Sequence, residues 1–162
     1  MTANGNLYFT AIYENGIGSE DIFLSKNQNG TYLPPEPLDT MVNGKGYEFN
    51  AWVSPDERMI IFSSFGRPDG FGGGDLYVSK KDAEGHWMAA QNLGKDINSD
   101  KLDFCPFYDR QNQLLYFTSR RRVAAVPPLK SLESFREASE QVDNGLGNIY
   151  RIHVGSFDFV GE

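Results

Sequence analysis

The chain has 162 residues, of which 40 % are hydrophobic and 23 % charged, and its formal net charge is −7. A chain of this length forms one domain with a buried core, and this composition excludes a disordered or membrane-spanning protein. The acidic balance argues against nucleic-acid binding, because phosphate backbones are bound by clustered Lys and Arg.

Few residues favour a metal or cofactor site. Cys105 is the only cysteine, so neither an intrachain disulfide nor a cysteine zinc cluster can form. The two histidines, His86 and His153, lie far apart in the sequence. We therefore expect no metal and no cofactor. The first ten residues hold neither a basic region nor an apolar run, so we also expect no signal peptide in this chain and no membrane insertion.

The sequence repeats itself, with residues 32–64 aligning without a gap on residues 87–119 at an offset of 55. The first copy begins near Asn6 at its second strand and lacks an inner strand, whereas the second copy is the most complete. In the second copy, the strand-like runs are bounded by turn residues such as Ser54-Pro55-Asp56. In chain order, strand-like runs fall at 7–10, 21–26, 49–54, 59–65, 75–80, 87–92, 115–118 and 148–150.

Four short strands in a repeat of this length are typical of a β-propeller blade. We predict an all-β fold, a partial β-propeller of about three four-stranded blades with one short helical insertion. The chain would be a single propeller segment over 1–162, with blades at approximately 6–47, 48–102 and 103–162. A β-sandwich also has many short strands, but its strands would not repeat at a fixed period.

The insertion at 120–147 is the least repetitive part of the chain. Within it, Leu129, Leu132, Phe135 and Val142 fall near helical spacing, after two prolines and before Gly145. This pattern predicts a short amphipathic helix. The helix would pack on its own blades, cover the open side of the ring or dock a partner.

Candidate site residues occur at equivalent places in the copies. Glu48 and Asp103 directly precede the inner strands, while Asn50 and Trp52 alternate with apolar residues and are candidates to line the channel. Arg67 and Arg120 follow the second strand of their copies, where a guanidinium suits a carboxylate of a neighbouring blade. These six residues either form a binding rim or satisfy backbone donors and each other. Cys105, in an inner strand, is expected to be a small core residue rather than a nucleophile.

The string SPDERMIIFSSFGRPDGFGGGDLYVSK resembles the WD-like propeller repeat of the TolB-like family. The matching features are Ser54-Pro55-Asp56, the strand ending at Ser64, Arg67, the glycine-rich loop and Asp75-Leu76-Tyr77. The resemblance implies a bacterial protein of the periplasm or cell surface, often a platform for protein interaction. The family's closed rings usually have six blades. We therefore expect that this chain is a piece of a longer parent or that it pairs with another chain, with two copies forming a homo-oligomeric ring.

These features predict a non-catalytic platform that binds a protein or glycan partner in the bacterial cell envelope. One alternative is a fragment of a propeller-type carbohydrate-active hydrolase, for which Glu48 and Asp103 are the pair to test. Another is a half-ring that self-assembles into a closed propeller.

Overall fold

The structure is a computed structural model that describes residues 1–122 and 130–154. In this part of the chain, nearly all regular structure is extended, and one short helix follows the last but one strand. The elements are β1 (Leu7–Ala11), β2 (Asp21–Ser25), β3 (Asn27–Gln28), β4 (Thr31–Tyr32), β5 (Glu36–Pro37), β6 (Tyr47–Val53), β7 (Met59–Phe65), β8 (Asp75–Lys80), β9 (Gln91–Asn92), β10 (Asp103–Asp109), β11 (Leu114–Ser119), α1 (Leu132–Glu140) and β12 (Asn148–His153).

The strands form three main antiparallel sheets. The first has the order β1-β2-β5, the second β6-β7-β8-β9 and the third β10-β11-β12, and β3 and β4 form a separate hairpin. The predicted all-β class is confirmed at this level. The strand expected over 87–92 is shorter than predicted, because only Gln91 and Asn92 pair with β8 and Trp87 forms one isolated bridge to Lys81.

The sheets follow the sequence repeat. The first sheet corresponds to β7, β8 and β9 of the second, and the third sheet corresponds to β6, β7 and β8. Equivalent parallel bridges link neighbouring sheets, Glu20 with Tyr47 and Gly74 with Leu102. Within the described residues, the first sheet has no counterpart of β6 and the third has no counterpart of β9.

The core lies in two layers on either side of the second sheet. Along β7, Ile60 and Phe62 pack toward the first sheet, whereas Ile61 packs with Leu115 and Phe117 of the third. Successive strand residues point to opposite faces, so a strand buried on both faces needs apolar residues at both parities. This arrangement explains the uninterrupted apolar run at 59–62.

The inner strands β6 and β10 carry a β-bulge at the same repeat position. The pairing register shifts between Phe49 and Trp52 and between Phe104 and Phe107. Asn50 and Cys105, at the centres of the bulges, both have φ of 52°. The expectation that Cys105 is a core residue is wrong, because its side chain is exposed at the bulge.

Helix α1 confirms the predicted helix in the insertion. Ser131 caps it, since its hydroxyl accepts a hydrogen bond from the Ser134 backbone while the Ser134 hydroxyl accepts one from the Ser131 backbone. Of the three alternatives for this helix, packing on its own sheets is not observed, because Leu132 and Phe135 are 70 % and 54 % exposed and none of the helix residues is buried. Leu129 lies outside the described residues.

None of the helical structure in residues 1–122 and 130–154 is long and apolar enough to cross a membrane.

Candidate functional site

The sheets have two ends with different chemistry. The rim end carries the loops 38–48 and 93–103, which precede β6 and β10. The turn end carries the β6–β7 turn at 54–58 and the β10–β11 turn at 110–113. Because a strand rises about 3.3 Å per residue, the seven residues of β6 separate the two ends by about 20 Å. We describe the rim end first, since most sequence-predicted residues lie there.

At the rim of the second sheet, Glu48 is completely buried and fully engaged. Its Oε2 accepts a hydrogen bond from the Gly44 backbone at 2.7 Å, and its Oε1 accepts one from the Ser64 hydroxyl at 2.7 Å. Arg67 forms an ion pair with Oε1 at 3.2 Å and donates to the carbonyl of Val42. The guanidinium also lies over the ring of Tyr77. Glu48 therefore joins the rim loop to its own sheet.

The third sheet repeats this arrangement with Asp103. Its Oδ2 accepts from the Ser99 backbone at 2.6 Å, and its Oδ1 pairs with Arg121 at 3.1 Å. Arg121 further donates to Ser119 at 2.9 Å and to the carbonyl of Ile97 at 2.5 Å. Asp103 is as completely buried as Glu48. The two ion pairs therefore hold the rim loops in place. The carboxylate oxygens of Glu48 and Asp103 are buried and hydrogen-bonded, so they are not accessible to a ligand.

The repeat equivalence of Arg67 with Arg120 needs a correction, since Arg121 makes the equivalent bonds. Arg67 lies three residues after Ser64, whereas Arg121 lies two residues after Ser119, so the loop is one residue shorter in the third sheet. Arg120 is exposed and lies over the ring of Phe104. It lines a rim cavity of about 360 Å³ together with Gly73, Asp100, Lys101, Leu102, Arg122 and Gly145.

A pair of asparagines at equivalent repeat positions supports the same loops. Asn43 accepts a hydrogen bond from the Ile22 backbone at 2.9 Å and donates to the Ile22 carbonyl at 3.0 Å. Asn98 makes the same two bonds with Leu76, at 2.8 and 3.0 Å. Both amides are buried. Each side-chain amide therefore makes the two backbone hydrogen bonds that a paired strand would make, at the point where its loop passes β2 or β8.

The two remaining predicted residues lie along β6. Asn50 is exposed at the bulge, and Trp52 is half-buried with its ring edge-on to Tyr108 of β10, at 5.7 Å between centroids. The register shift between Phe49 and Trp52 interrupts the alternation from which a shared channel face was expected. Trp52 thus belongs to the junction between the second and third sheets at the turn end, apart from the buried rim carboxylates.

Two adjoining cavities occupy that junction, and we call them together the turn-end groove. Their volumes are about 320 and 420 Å³, and both are lined by Tyr108 and Arg110. The cationic half is further lined by Asp56, Arg58, Met59, Lys80 and Lys81. The apolar half is further lined by Met1, Ala51, Trp52, Val53, Pro55, Phe107 and Asp109.

The cationic half concentrates positive charge in a chain that is strongly acidic overall. Four cationic side chains surround one carboxylate, Asp56, which pairs with Arg110 at 3.1 Å. The hydrogen bond from the Ser54 hydroxyl, and next the bond from Arg110, lower the pKa of Asp56 to about 2. Arg58 donates to the carbonyl of Asp82 at 3.0 Å, and the Lys81 ammonium lies 4.8 Å from the centre of the Trp87 ring. These contacts orient the cations and leave Arg58 and Arg110 with further donors.

The N-terminal residues border one side of the apolar half, where Met1 is part of the lining. The buried carboxylate of Glu57 accepts hydrogen bonds from Thr2 at 2.6 Å, Asn6 at 2.7 Å and Tyr8 at 3.1 Å. Burial, followed by the Glu57 charge, raises the pKa of Tyr8. The Ala3 backbone also donates to the carbonyl of Pro55 at 2.9 Å. These bonds fix residues 2–8 over the turn and so place Met1 at the groove.

Sequence reasoning found Trp52 but missed the rest of the groove. Apart from Lys80, which matches Lys26 at an offset of 54, its other residues are not identical between the copies. Pro55, for example, falls opposite Arg110 at the repeat offset. The available signal was this departure from the repeat, because a residue that differs between copies is free of the structural role that the copies share.

Within the described residues, no group of three or more His, Cys, Asp and Glu side chains is placed to hold a metal ion. The sequence was compared with protein-family models and with curated proteins, and neither comparison gave a match. What the chain does must therefore be inferred from its own residues and contacts.

Proposed function

We propose that the three sheets are consecutive blades of a TolB-like β-propeller. Three recurrences support this proposal: the buried carboxylate–arginine pair, the buried asparagine and the bulge of the inner strand each occur in both the second and the third sheet. A set of contacts that recurs at each sheet junction is expected where successive sheets are related by a constant rotation. A location in the bacterial periplasm or at the cell surface belongs to the same proposal and rests on the family resemblance.

We propose further that the chain is a non-catalytic platform for a protein partner, with the turn-end groove as its binding site. The observation that carries this proposal is the union of four cationic side chains with an adjoining apolar cavity at one sheet junction. Exposed rings and arginines are the residues that most often anchor protein partners. Phe107 is 54 % exposed and Arg110 is 55 % exposed in its side chain, so both are accessible.

The chemistry of the groove specifies the partner. A segment that fits it carries an apolar side chain beside two or more carboxylates, because cationic and apolar halves adjoin at Tyr108 and Arg110. A glycan is supported less, since Trp52 meets Tyr108 edge-on and is half-buried rather than open as a stacking platform. A hydrolase is also supported less, because both candidate carboxylates are buried and bonded within their sheets.

A peptide-binding titration tests the proposal. The probe is a fluorescein-labelled heptapeptide of glutamates with one leucine and one phenylalanine, and the control peptide carries glutamine in place of every glutamate. We expect the acidic probe to bind in a salt-dependent way and the glutamine peptide to bind at least about tenfold more weakly.

Two charge-matched variants locate the binding. Lys81→Glu changes the groove, whereas Lys45→Glu makes the same change on the exposed rim loop. We expect Lys81→Glu to weaken binding by about tenfold or more and Lys45→Glu to leave it within about twofold. Thermal unfolding of both variants checks that the fold survives. Equal binding by the two variants, or by the two peptides, would show that the groove is not the site.

A further inference from the structure

Helix α1 presents two stripes that no described residue covers. With about 100° between successive helical residues, Leu132 and Phe135 lie on one face. Glu133, Glu137 and Glu140 lie together on a second face about 140° away. The two apolar side chains are more than half exposed. The helix thus carries an apolar stripe and an acidic stripe on two different faces, and the turn-end groove has an apolar half and a cationic half.

The helix lies at the rim end of its own chain. Asn144 donates to the carbonyl of Ser139 at 2.6 Å and bridges to Arg122, which follows the rim end of β11. The Tyr150 hydroxyl on β12 bonds to Asp143, just beyond the helix. The groove lies at the other end of the strands, about 20 Å away along β6. Helix α1 therefore cannot fill the groove of the same molecule.

We propose that α1 of one copy docks into the turn-end groove of a second copy. This inference rests on the proposed function of the groove and names its occupant. Leu132 and Phe135 enter the apolar half, next to Phe107 and Trp52. The three glutamates face the cationic half, where four positive side chains surround one carboxylate. Opposite charges and unpartnered apolar surfaces thus coincide on the two partners.

The helix is short, and the groove draws its lining from several strands. Nine helical residues are about 13 Å long. The groove is lined by residues of four strands of two adjacent sheets, β6, β7, β8 and β10. One short helix buries little surface, so the contact is weak and depends on protein concentration.

The contact joins unlike surfaces, and this determines the form of the assembly. A head-to-tail contact leaves one free groove and one free helix on every pair, so association continues into an open chain unless the rotation closes a ring. The two-copy closed propeller expected from the sequence differs, because it would meet through sheet edges and would stop at two copies.

Sedimentation velocity over a range of concentrations tests the inference with two complementary variants. The helix variant is Leu132→Ser with Phe135→Ser, two exposed positions whose change should leave the fold intact. The groove variant is Lys81→Glu with Phe107→Ser. We expect the wild-type chain to form species larger than dimers as concentration rises, and each variant alone to remain a monomer.

Mixing the variants gives the decisive result. The groove variant still offers its helix, and the helix variant still offers its groove, so the mixture should form a heterodimer and nothing larger. Lys45→Glu should associate like the wild type. A wild-type chain that stays monomeric, or a helix variant that associates like the wild type, would overturn the inference.

The acidic heptapeptide separates this inference from the proposed function. The helix variant keeps the groove, so it should bind the probe as the wild type does. If the probe binds and the wild type remains a monomer, only the self-docking fails. If the probe does not bind either, the function proposed for the groove fails with it.

Discussion

Two ion pairs with the same N–O distance of 3.1 Å occupy opposite ends of the junction between the second and third sheets. At the rim end, Arg121 pairs with Asp103, whose side chain is completely buried. At the turn end, Arg110 pairs with Asp56, and both side chains are about half exposed. A buried carboxylate that loses its partner cannot be solvated, whereas an exposed one can. The same geometry therefore serves stability at one end and leaves charge available for binding at the other.

The contrast also separates repeated residues from individual ones. The rim pair recurs as Arg67 with Glu48, and both pairs hold a loop by backbone hydrogen bonds. The pair at the turn end recurs nowhere among the described residues, and Arg110 falls opposite Pro55 in the preceding copy. In a repeat protein, each unit must meet the same packing requirements, so shared residues serve the fold. Residues that break the repeat are the ones to examine for binding.

The largest effect is expected at the rim. Arg121→Ala should lower the free energy of unfolding by about 3–5 kcal/mol, because it leaves the buried Asp103 carboxylate without its cation. The measurement is urea denaturation followed by tryptophan fluorescence. Arg121→Lys keeps the charge but loses the planar contacts with Phe117 and Tyr150, so it should fall between wild type and alanine.

Its neighbour supplies the matched control. Arg120→Ala removes the same side chain one position earlier, from an exposed site, and should change the free energy of unfolding by no more than about 0.5 kcal/mol. Equal losses in the two alanine variants would contradict the assignment of Arg121 as the arginine that holds the third sheet.

The sequence predicts the parts of this molecule that repeat. The offset of 55 residues identifies Asn43 with Asn98 and Glu48 with Asp103, and the two members of each pair make equivalent hydrogen bonds with the backbone. The offset fails after Ser119, because it places Arg122 opposite Arg67, whereas the loop is one residue shorter and Arg121 makes the bonds of Arg67. A local change of length is enough to shift a functional assignment by one position.

A comparison of the repeat copies could not have identified the turn-end groove. Its lining comes from β6, β7, β8 and β10 and the adjacent turns, and Lys81 and Arg110 are 29 positions apart in the chain. No local spacing relates them, and only the packing of adjacent sheets brings them together. The exposure of Cys105 has a similar origin, since the bulge in β10 depends on the register with β11 and leaves no periodic signal.

At the bulge of β10, between the two ends of the sheet, a substitution is expected to have an intermediate effect on the free energy of unfolding. Cys105 has φ of 52°, a left-handed conformation that costs a non-glycine residue about 1 kcal/mol. Cys105→Gly should therefore raise the free energy of unfolding by about 0.5–1 kcal/mol, whereas Cys105→Ala retains the strain and should have little effect. Urea denaturation of the two variants measures the difference. Glycine less stable than alanine at this position would mean that the bulge is not strained.

The smallest effect is expected at the turn end, and its pH dependence identifies its cause. The folded-state pKa of Asp56, about 2, lies below its ordinary value near 4. The charged carboxylate therefore contributes stability above about pH 4, and this contribution disappears as the pH falls toward 2. Because the side chain is 48 % exposed, we expect wild type to exceed Asp56→Asn by less than about 1 kcal/mol at pH 6.

Thermal unfolding of both proteins between pH 6 and pH 2 measures the convergence. Arg110→Ala should retain part of this pH dependence, since the hydrogen bond from the Ser54 hydroxyl is the largest single cause of the lowered pKa of Asp56. If the difference in stability between wild type and Asp56→Asn persists undiminished at pH 2, Asp56 would instead contribute through its packing and not through its charge. The contrast with Arg121 would then rest on packing and not on the burial of charge.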